Sequence, residues 1–162
     1  MPSDDALNFY TYPAVQFGHH GIPGTLTTGE ALGGGYVVEN GSPIDGEFFY
    51  IDFPVTGLLM HSALTDILAA KTTGSPNKLT VARTYAATIR YDHDANPDTA
   101  ALDYNLKQIV SSASGYAHLS RVDIRILQGP NGELYMASKR NNMVYLVTSS
   151  LPNGLNDSAA RP

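Results

Sequence analysis

An all-β fold made of short antiparallel meanders is predicted by three features of this 162-residue sequence. Glycine and proline punctuate the chain, with 15 Gly and 10 Pro, and this suits short strands and turns better than helices. Apolar and polar residues alternate from Val122 to Leu127, with the period of two expected of a strand that buries one face. A short sequence pattern also occurs twice along the chain.

The repeated pattern predicts two equivalent structural units. Residues 45–51, DGEFFYI, match residues 131–137, NGELYMA, and each copy is followed by a short linker and a second apolar segment. The copies are offset by 86 residues, which is twice 43, and the blades of β-propellers repeat every roughly 40–50 residues. The offset fits either two blade lengths or adjacent blades with a long insertion between them.

The elements of the first half are predicted from apolar runs between turn residues. An extended segment covers residues 12–17 and ends at Gly18-His19-His20-Gly21, and a loop follows over 22–29. Three glycines at 33–35 open the next strand, and Pro54 ends a later one. Strands are predicted at 36–38, 48–53 and 58–62.

The second half contains one helical signal before the final meander. Leu64, Ile67 and Leu68 have helical spacing, which predicts one or two helical turns over 64–71. Residues 102–110 fit a strand or a helix equally well, and 111–120 are predicted to be a linker. Further strands are predicted at 80–83, 87–91, 122–127, 134–137 and 143–147, the last three forming a meander whose first turn is Gly129-Pro130-Asn131-Gly132.

These elements predict one domain over residues 1–148. It would be a partial β-propeller with blade-like units at about 33–62 and 120–148, and with an insertion or an extra blade at about 63–119. Residues 149–162 are small, polar and proline-containing, which predicts a disordered tail.

Composition excludes some classes of partner. The net charge is −5 and no basic stripe occurs, so the sequence predicts no binding to nucleic acid. No apolar run approaches the roughly 20 residues of a membrane helix, so no membrane span is predicted. Residues 1–10 lack the basic start and apolar core of a signal peptide, and the absence of cysteine leaves the redox compartment unreadable.

Three segments carry a resemblance to a known family. They are residues 12–19, YPAVQFGH, residues 33–53, and residues 121–125, RVDIR, with 129–135, GPNGELY. Together they resemble the C-terminal part of the glucose/sorbosone dehydrogenase-like six-bladed β-propellers, the soluble quinoprotein sugar dehydrogenases. Because 162 residues hold only two or three four-stranded blades, the resemblance implies a fragment of a six-bladed propeller or a chain that pairs with other copies. It also implies a periplasmic or extracellular location.

The resemblance implies an oxidoreductase that depends on pyrroloquinoline quinone (PQQ) and acts on a small sugar or polyol. Arg121, Arg125 and Lys139 would hold the carboxylates of the cofactor, since a guanidinium donates two parallel hydrogen bonds. The catalytic histidine of the family has no counterpart here, so no catalytic residue is assigned and the rest of the propeller would supply it. Two departures from the family pattern are Asp123 between the arginines and Val55-Thr56, where quinone-binding members carry a basic residue.

The same basic residues have a structural interpretation. Arg121, Asp123 and Arg125 alternate, as on one face of a strand, and could pair with one another, while Lys139 could be a solvated turn residue. The alternative function is therefore a non-catalytic propeller domain for binding or scaffolding, with calcium as a possible ligand.

Two further groups of residues are candidate sites. His19 and His20 could line the substrate rim, or could pack a loop through hydrogen bonds to the backbone. A calcium-type loop places oxygen ligands at its positions 1, 3, 5, 7 and 12. The corresponding residues are Asp92, Asp94, Asn96, Asp98 and Asp103. Pro97 stands where such loops carry glycine, so the alternative is an acidic surface loop that caps a strand.

Overall fold

The computed structural model describes residues 10–19, 28–73, 79–91, 101–103, 106–114 and 120–148. In these ranges the chain forms eleven strands and two helices. Neither helix has both the length and the apolar character required to cross a membrane. The elements in chain order are β1 (Gly18–His19), β2 (Thr28–Gly29), β3 (Leu32–Val37), β4 (Glu47–Asp52), β5 (Leu59–Ala63), α1 (Leu64–Ala69), β6 (Tyr85–Ala86), β7 (Ile89–Tyr91), β8 (Ala101–Asp103), α2 (Leu106–Ser114), β9 (Ile124–Gln128), β10 (Leu134–Ser138) and β11 (Met143–Val147).

The larger sheet is a four-stranded antiparallel meander in the order β3-β4-β5-β6. Its first strand, β3, includes the three glycines, whereas the strand was predicted over residues 36–38 with the glycines at its opening. Gly34 adopts a φ of 66°, and the pairing of β3 with β4 shifts register between Leu32 and Gly35. A side chain at Gly33 or Gly35 would collide with Phe53 or Phe48, so these glycines let the two strands approach closely.

Both faces of this sheet are buried. Phe49, Ile51 and Leu59 pack into the main hydrophobic core on one face. Tyr50 and Met60, which alternate with them along the strands, are 2% and 0% exposed on the other face. Other parts of the chain therefore cover both faces of the central strands β4 and β5.

The smaller sheet is the meander predicted at the end of the chain. β9, β10 and β11 pair antiparallel in sequence order, with Met136 opposite both Ile126 and Tyr145. The turn before β10 closes through a hydrogen bond from Gly129 N to Glu133 O of 2.8 Å, and Gly132 has a φ of 82°. The prediction of three strands with a Gly-Pro-Asn-Gly turn is confirmed.

The two sheets share one core with α2. Leu106, Ile109 and Val110 of α2 are buried against Val122, Ile124 and Ile126, whose alternation predicted a half-buried strand. Backbone hydrogen bonds join the start of β9 to the β4–β5 connection, from Val122 N to Pro54 O (3.0 Å) and from Ile124 N to Phe53 O (2.9 Å). Gly57 lies at the same junction, with a φ of 62° that suits glycine.

In the region between the sheets, the structure decides one ambiguous segment and departs from prediction at residues 111–114 and 80–83. The ambiguous segment 102–110 divides into β8 and α2, and α2 continues to Ser114 inside the predicted linker. The buried residues of α2, Leu106, Ile109 and Val110, have helical spacing. A helix of 9 residues is too short to be stable alone, so its packing on the sheets stabilises it. The strand predicted at 80–83 is reduced to one bridge between Val15 and Ala82, and β6 begins later. The predicted helix is confirmed as α1, and its Leu68 is 77% exposed.

The fold is therefore mostly β, with two antiparallel sheets of four and three strands and no closed barrel among the described residues. The two copies of the repeated pattern occupy equivalent positions. Gly46 and Gly132, with φ values of 77° and 82°, lie in the turn before the second strand of their sheets, one residue before β4 and two residues before β10. Completion of a propeller, and the boundaries predicted for its blades, remain predictions.

Candidate functional site

The basic residues predicted to bind a cofactor gather around one carboxylate. Arg121 donates to Oδ1 of Asp123 from Nε (3.2 Å) and from Nη2 (2.8 Å). Lys139 donates its backbone N–H to the carbonyl of Asp123 at 3.3 Å, and this places β10 beside the same residue. Arg121, Arg125 and Lys139, with Asp123 at their centre, are called the basic cluster below.

Asp123 has a backbone conformation that few residues adopt. Its φ is 47°, in the left-handed region that asparagine and aspartate tolerate better than most side chains. Because β9 begins only at Ile124, Asp123 lies before the strand, and the predicted alternation of Arg121, Asp123 and Arg125 along one strand does not extend that far. The junction bonds of Val122 and Ile124 to the β4–β5 connection hold the chain on both sides of Asp123.

Arg125 is held by different contacts. Its guanidinium carbon lies 4.6 Å from the centre of the Phe53 ring, and Nη1 donates to the carbonyl of Ile124 at 2.9 Å. Stacking on an aromatic ring orients a guanidinium while leaving other N–H groups available at its edge. The ammonium of Lys139 is exposed and forms no ion pair with any described residue.

The electrostatics of the cluster are dominated by its cations. The hydrogen bond from Arg121 is the largest cause that lowers the pKa of Asp123, and the charges of Arg121, Lys139 and Arg125 act in the same direction. Four of the ten lysine and arginine residues of the chain lie within residues 121–140, so this region is locally positive in a protein of net charge −5. Such a cluster can bind an anion, and carboxylates and phosphates both match the guanidinium geometry.

Thr56, at one of the two positions that differ from the quinoprotein dehydrogenase motif, has a structural role. Asp52 is 0% exposed, and its Oδ2 accepts hydrogen bonds from the backbone N–H (3.0 Å) and the hydroxyl (2.5 Å) of Thr56. Its Oδ1 accepts from the N–H groups of Glu30 (2.9 Å) and Ala31 (3.2 Å). Thr56 therefore stabilises the β4–β5 connection by bonding the buried carboxylate of Asp52. Position 56 thus has a structural residue in place of a basic one.

Most residues of the other two predicted sites, the histidine pair and the calcium-type loop, lie outside the described residues. His19 belongs to β1, and His20 lies outside the described residues. The backbone of Asp103 ends β8 opposite Ile89, whereas the remaining four predicted calcium ligands, Asp92, Asp94, Asn96 and Asp98, fall outside the described ranges. Within those ranges, no three His, Cys, Asp or Glu side chains are grouped so that they could hold a metal ion.

One polar pair was missed by the sequence analysis. His61 Nδ1 lies 2.8 Å from Glu47 Oε2, and the imidazole stacks between Phe49 and Tyr85 with 5.4 Å between ring centres on each side. Phe49, His61 and Tyr85 are directly opposite one another on β4, β5 and β6. Alternation places Glu47 and Phe49 on one face, but the strand register that brings His61 to them was not predictable from local pattern.

Comparison with known proteins yields no relative. No family model matches the chain, and no match is found among curated proteins or among solved structures. The resemblance to the quinoprotein sugar dehydrogenases therefore remains a prediction from the sequence motifs.

Proposed function

We propose that the chain is part of a larger β-propeller to which it contributes a binding site for the carboxylates of a small molecule, as in a PQQ-dependent sugar dehydrogenase. The observation that supports this proposal is the placement of three basic residues near Asp123: Arg121 bonds its carboxylate, Arg125 follows two residues later in β9, and Lys139 donates its backbone N–H to its carbonyl. These residues come from the start of β9 and the β10–β11 turn, and only the folded sheet brings them together.

The residues of the cluster suit a ligand with several carboxylates. The edge of the Arg125 guanidinium and the ammonium of Lys139 could each donate to a separate carboxylate, and Arg121 could donate to a third. A bound quinone would supply the group that accepts a hydride from the sugar. This chain would contribute orientation and charge, while the base would come from the remainder of the propeller. The sugar or polyol substrate and an exported location belong to the same proposal.

The first test is a titration of the full chain with PQQ, with and without Ca²⁺, followed by calorimetry. Arg125→Gln removes one charged hydrogen-bond donor, which typically contributes about 1.5–3 kcal/mol, so affinity should fall by at least about tenfold. Lys71→Gln is the matched control, because it removes the same charge from an exposed position outside the cluster and should change affinity by less than about twofold. Equal affinities for the two variants would exclude the cluster as the binding site.

A specific observation favours the second function, a non-catalytic binding or scaffold domain. Arg121 is already paired with Asp123, Arg125 already stacks on Phe53, and Thr56 serves the buried Asp52. In this alternative the cluster stabilises the start of β9. Absence of PQQ binding, together with no turnover of a panel of aldoses with an artificial electron acceptor, would support it. A rise in melting temperature with Ca²⁺ alone would show that the scaffold domain also binds calcium.

A further inference from the structure

We propose that Asp123 is an internal competitor that occupies the guanidinium of Arg121 until a carboxylate of the ligand displaces it. This inference rests on the proposed carboxylate-binding function of the basic cluster. It concerns how that site is kept in a closed form, which neither the sequence motifs nor the proposed function requires.

The geometry of the pair supports competition. Both Arg121 donors, Nε and Nη2, point at the same oxygen of Asp123, at 3.2 Å and 2.8 Å. A ligand carboxylate that binds the Nε and Nη2 edge of Arg121 through two parallel hydrogen bonds must displace Asp123 from those two donors. Oδ1 takes both bonds, and Arg121 has no partner other than Asp123 among the residues that the structure describes.

Exposure makes exchange possible. The side chain of Arg121 is 55% exposed and that of Asp123 is 33% exposed, so a ligand can approach the pair from solvent. Exposed ion pairs contribute only about 0.2–1 kcal/mol, which a stronger multidentate ligand overcomes. A deeply buried pair would instead have a purely structural role.

The backbone explains why Asp123 remains in place when Arg121 leaves. The left-handed conformation of Asp123 is maintained by main-chain hydrogen bonds, in which Val122 and Ile124 donate to Pro54 and Phe53 and Lys139 donates to Asp123. None of these bonds involves the carboxylate. Displacement therefore requires only a rotation of the Arg121 side chain, and the sheet is unchanged.

The test compares Asp123→Asn with the unmodified chain, using benzene-1,3,5-tricarboxylate as a redox-inactive probe with three carboxylates. Asparagine tolerates the left-handed conformation, so the variant should fold. Replacing the carboxylate by a neutral amide weakens its hold on Arg121, and this should tighten binding by about two- to fivefold, the range of an exposed ion pair. Asp123→Gly, which also tolerates this conformation, removes the acceptor altogether and should show at least the same gain.

Charge alone must be separated from competition. Glu133→Gln removes the same charge from the turn at the opposite end of the β9–β10 hairpin, where Glu133 accepts from Asn131 and pairs with no arginine of the described ranges, and it should give less than about half of the gain. In addition, the Nε–H resonance of Arg121 should shift in Asp123→Asn without ligand, and binding of the probe to that variant should move it back toward its position in the unmodified chain, because a carboxylate again accepts from Nε.

The outcomes distinguish this inference from the proposed function. If the unmodified chain binds the probe and Arg121→Gln weakens binding, but Asp123→Asn and Asp123→Gly bind no better than Glu133→Gln, the competition is wrong and the proposed function stands. If neither the unmodified chain nor Asp123→Asn binds the probe, the proposed function fails and the inference fails with it.

Discussion

At the scale of single residues, the chemistry of this protein is concentrated where side chains from separate strands share one partner. Asp123 has three cations around it, Asp52 receives four hydrogen bonds from two loops, and His61 pairs with Glu47 between two aromatic rings. The residue types were visible in the sequence. The pairing of Arg121 with Asp123 was one of the sequence interpretations, whereas the bonds of Asp52 to Glu30 and Ala31 and the pairing of His61 with Glu47 join segments whose separation carries no local periodicity.

The pairing of Arg121 with Asp123 predicts a measurable titration. Replacing Arg121 by glutamine removes the largest cause of the lowered pKa, so the pKa of Asp123 should rise toward its ordinary value near 3.8. A carboxylate whose pKa is lowered in the folded state stabilises the fold above its unfolded pKa, and this contribution is lost as pH falls through the folded pKa. The Arg121→Gln variant should lose this stabilising contribution of Asp123. The carboxyl carbon of Asp123, followed by NMR between about pH 2 and 6, reports the change, and Lys71→Gln should leave it unaltered.

At the scale of elements, the strands of each sheet alternate in the way that the sequence pattern predicts. The burial of the second face of β4 depends instead on contacts with distant segments. Tyr50 shows this on β4. Its hydroxyl donates to Thr84 Oγ1 (2.7 Å) and lies 3.3 Å from Ser62 Oγ, while Thr84 in turn donates to the carbonyl of Gln16 (3.1 Å). The network ties the sheet to the segment before β1, on the face away from the main core.

Tyr50→Phe should destabilise the protein by about 1–3 kcal/mol at neutral pH, because it leaves the fully buried hydroxyl of Ser62 without a partner. Burial raises the pKa of Tyr50, so its stabilising contribution is present below about pH 10 and is lost as pH rises further. The difference in unfolding free energy between the two proteins should therefore shrink above about pH 10. Urea unfolding at pH 7 and pH 10.5 measures it. Tyr36→Phe removes a hydroxyl outside this network, and an equal loss there would contradict the explanation.

At the scale of the whole molecule, the two sheets and α2 form one core that meets at Gly57. A Cβ at this position would lie 2.9 Å from Leu106 Cβ and 3.2 Å from Val122 Cγ2, and the backbone has a φ of 62°. The carbonyl of Gly57 also accepts a hydrogen bond from Leu106 N at 3.1 Å, at the start of α2. The junction is thus both crowded and conformationally restricted.

Gly57→Ala should cost more than about 2 kcal/mol of unfolding free energy, from the left-handed backbone and from the crowding together. Gly41→Ala is the matched control. Its φ of 69° imposes the same backbone penalty, but nothing lies within 4 Å of the added Cβ. Denaturant unfolding of both variants isolates the crowding as their difference, and equal losses would show that the junction is not tightly packed.

The sequence alone determined the local elements and their repetition. Alternation predicted β9, turn residues predicted the bend before β10, and the repeat predicted equivalent positions for Gly46 and Gly132. These features depend on periodicity and on backbone preference over a few residues, which any chain with this sequence carries.

Only the tertiary structure decided the helical state of residues 106–114, the burial of both faces of β4 and β5, and the left-handed backbone at Asp123 that presents its carboxylate to Arg121. Each depends on which distant surface is adjacent. A short amphipathic segment becomes a helix when a core covers its apolar face, and a guanidinium pairs with whichever carboxylate the backbone presents to it. The left-handed φ of 47° at Asp123 directs its carboxylate toward Arg121.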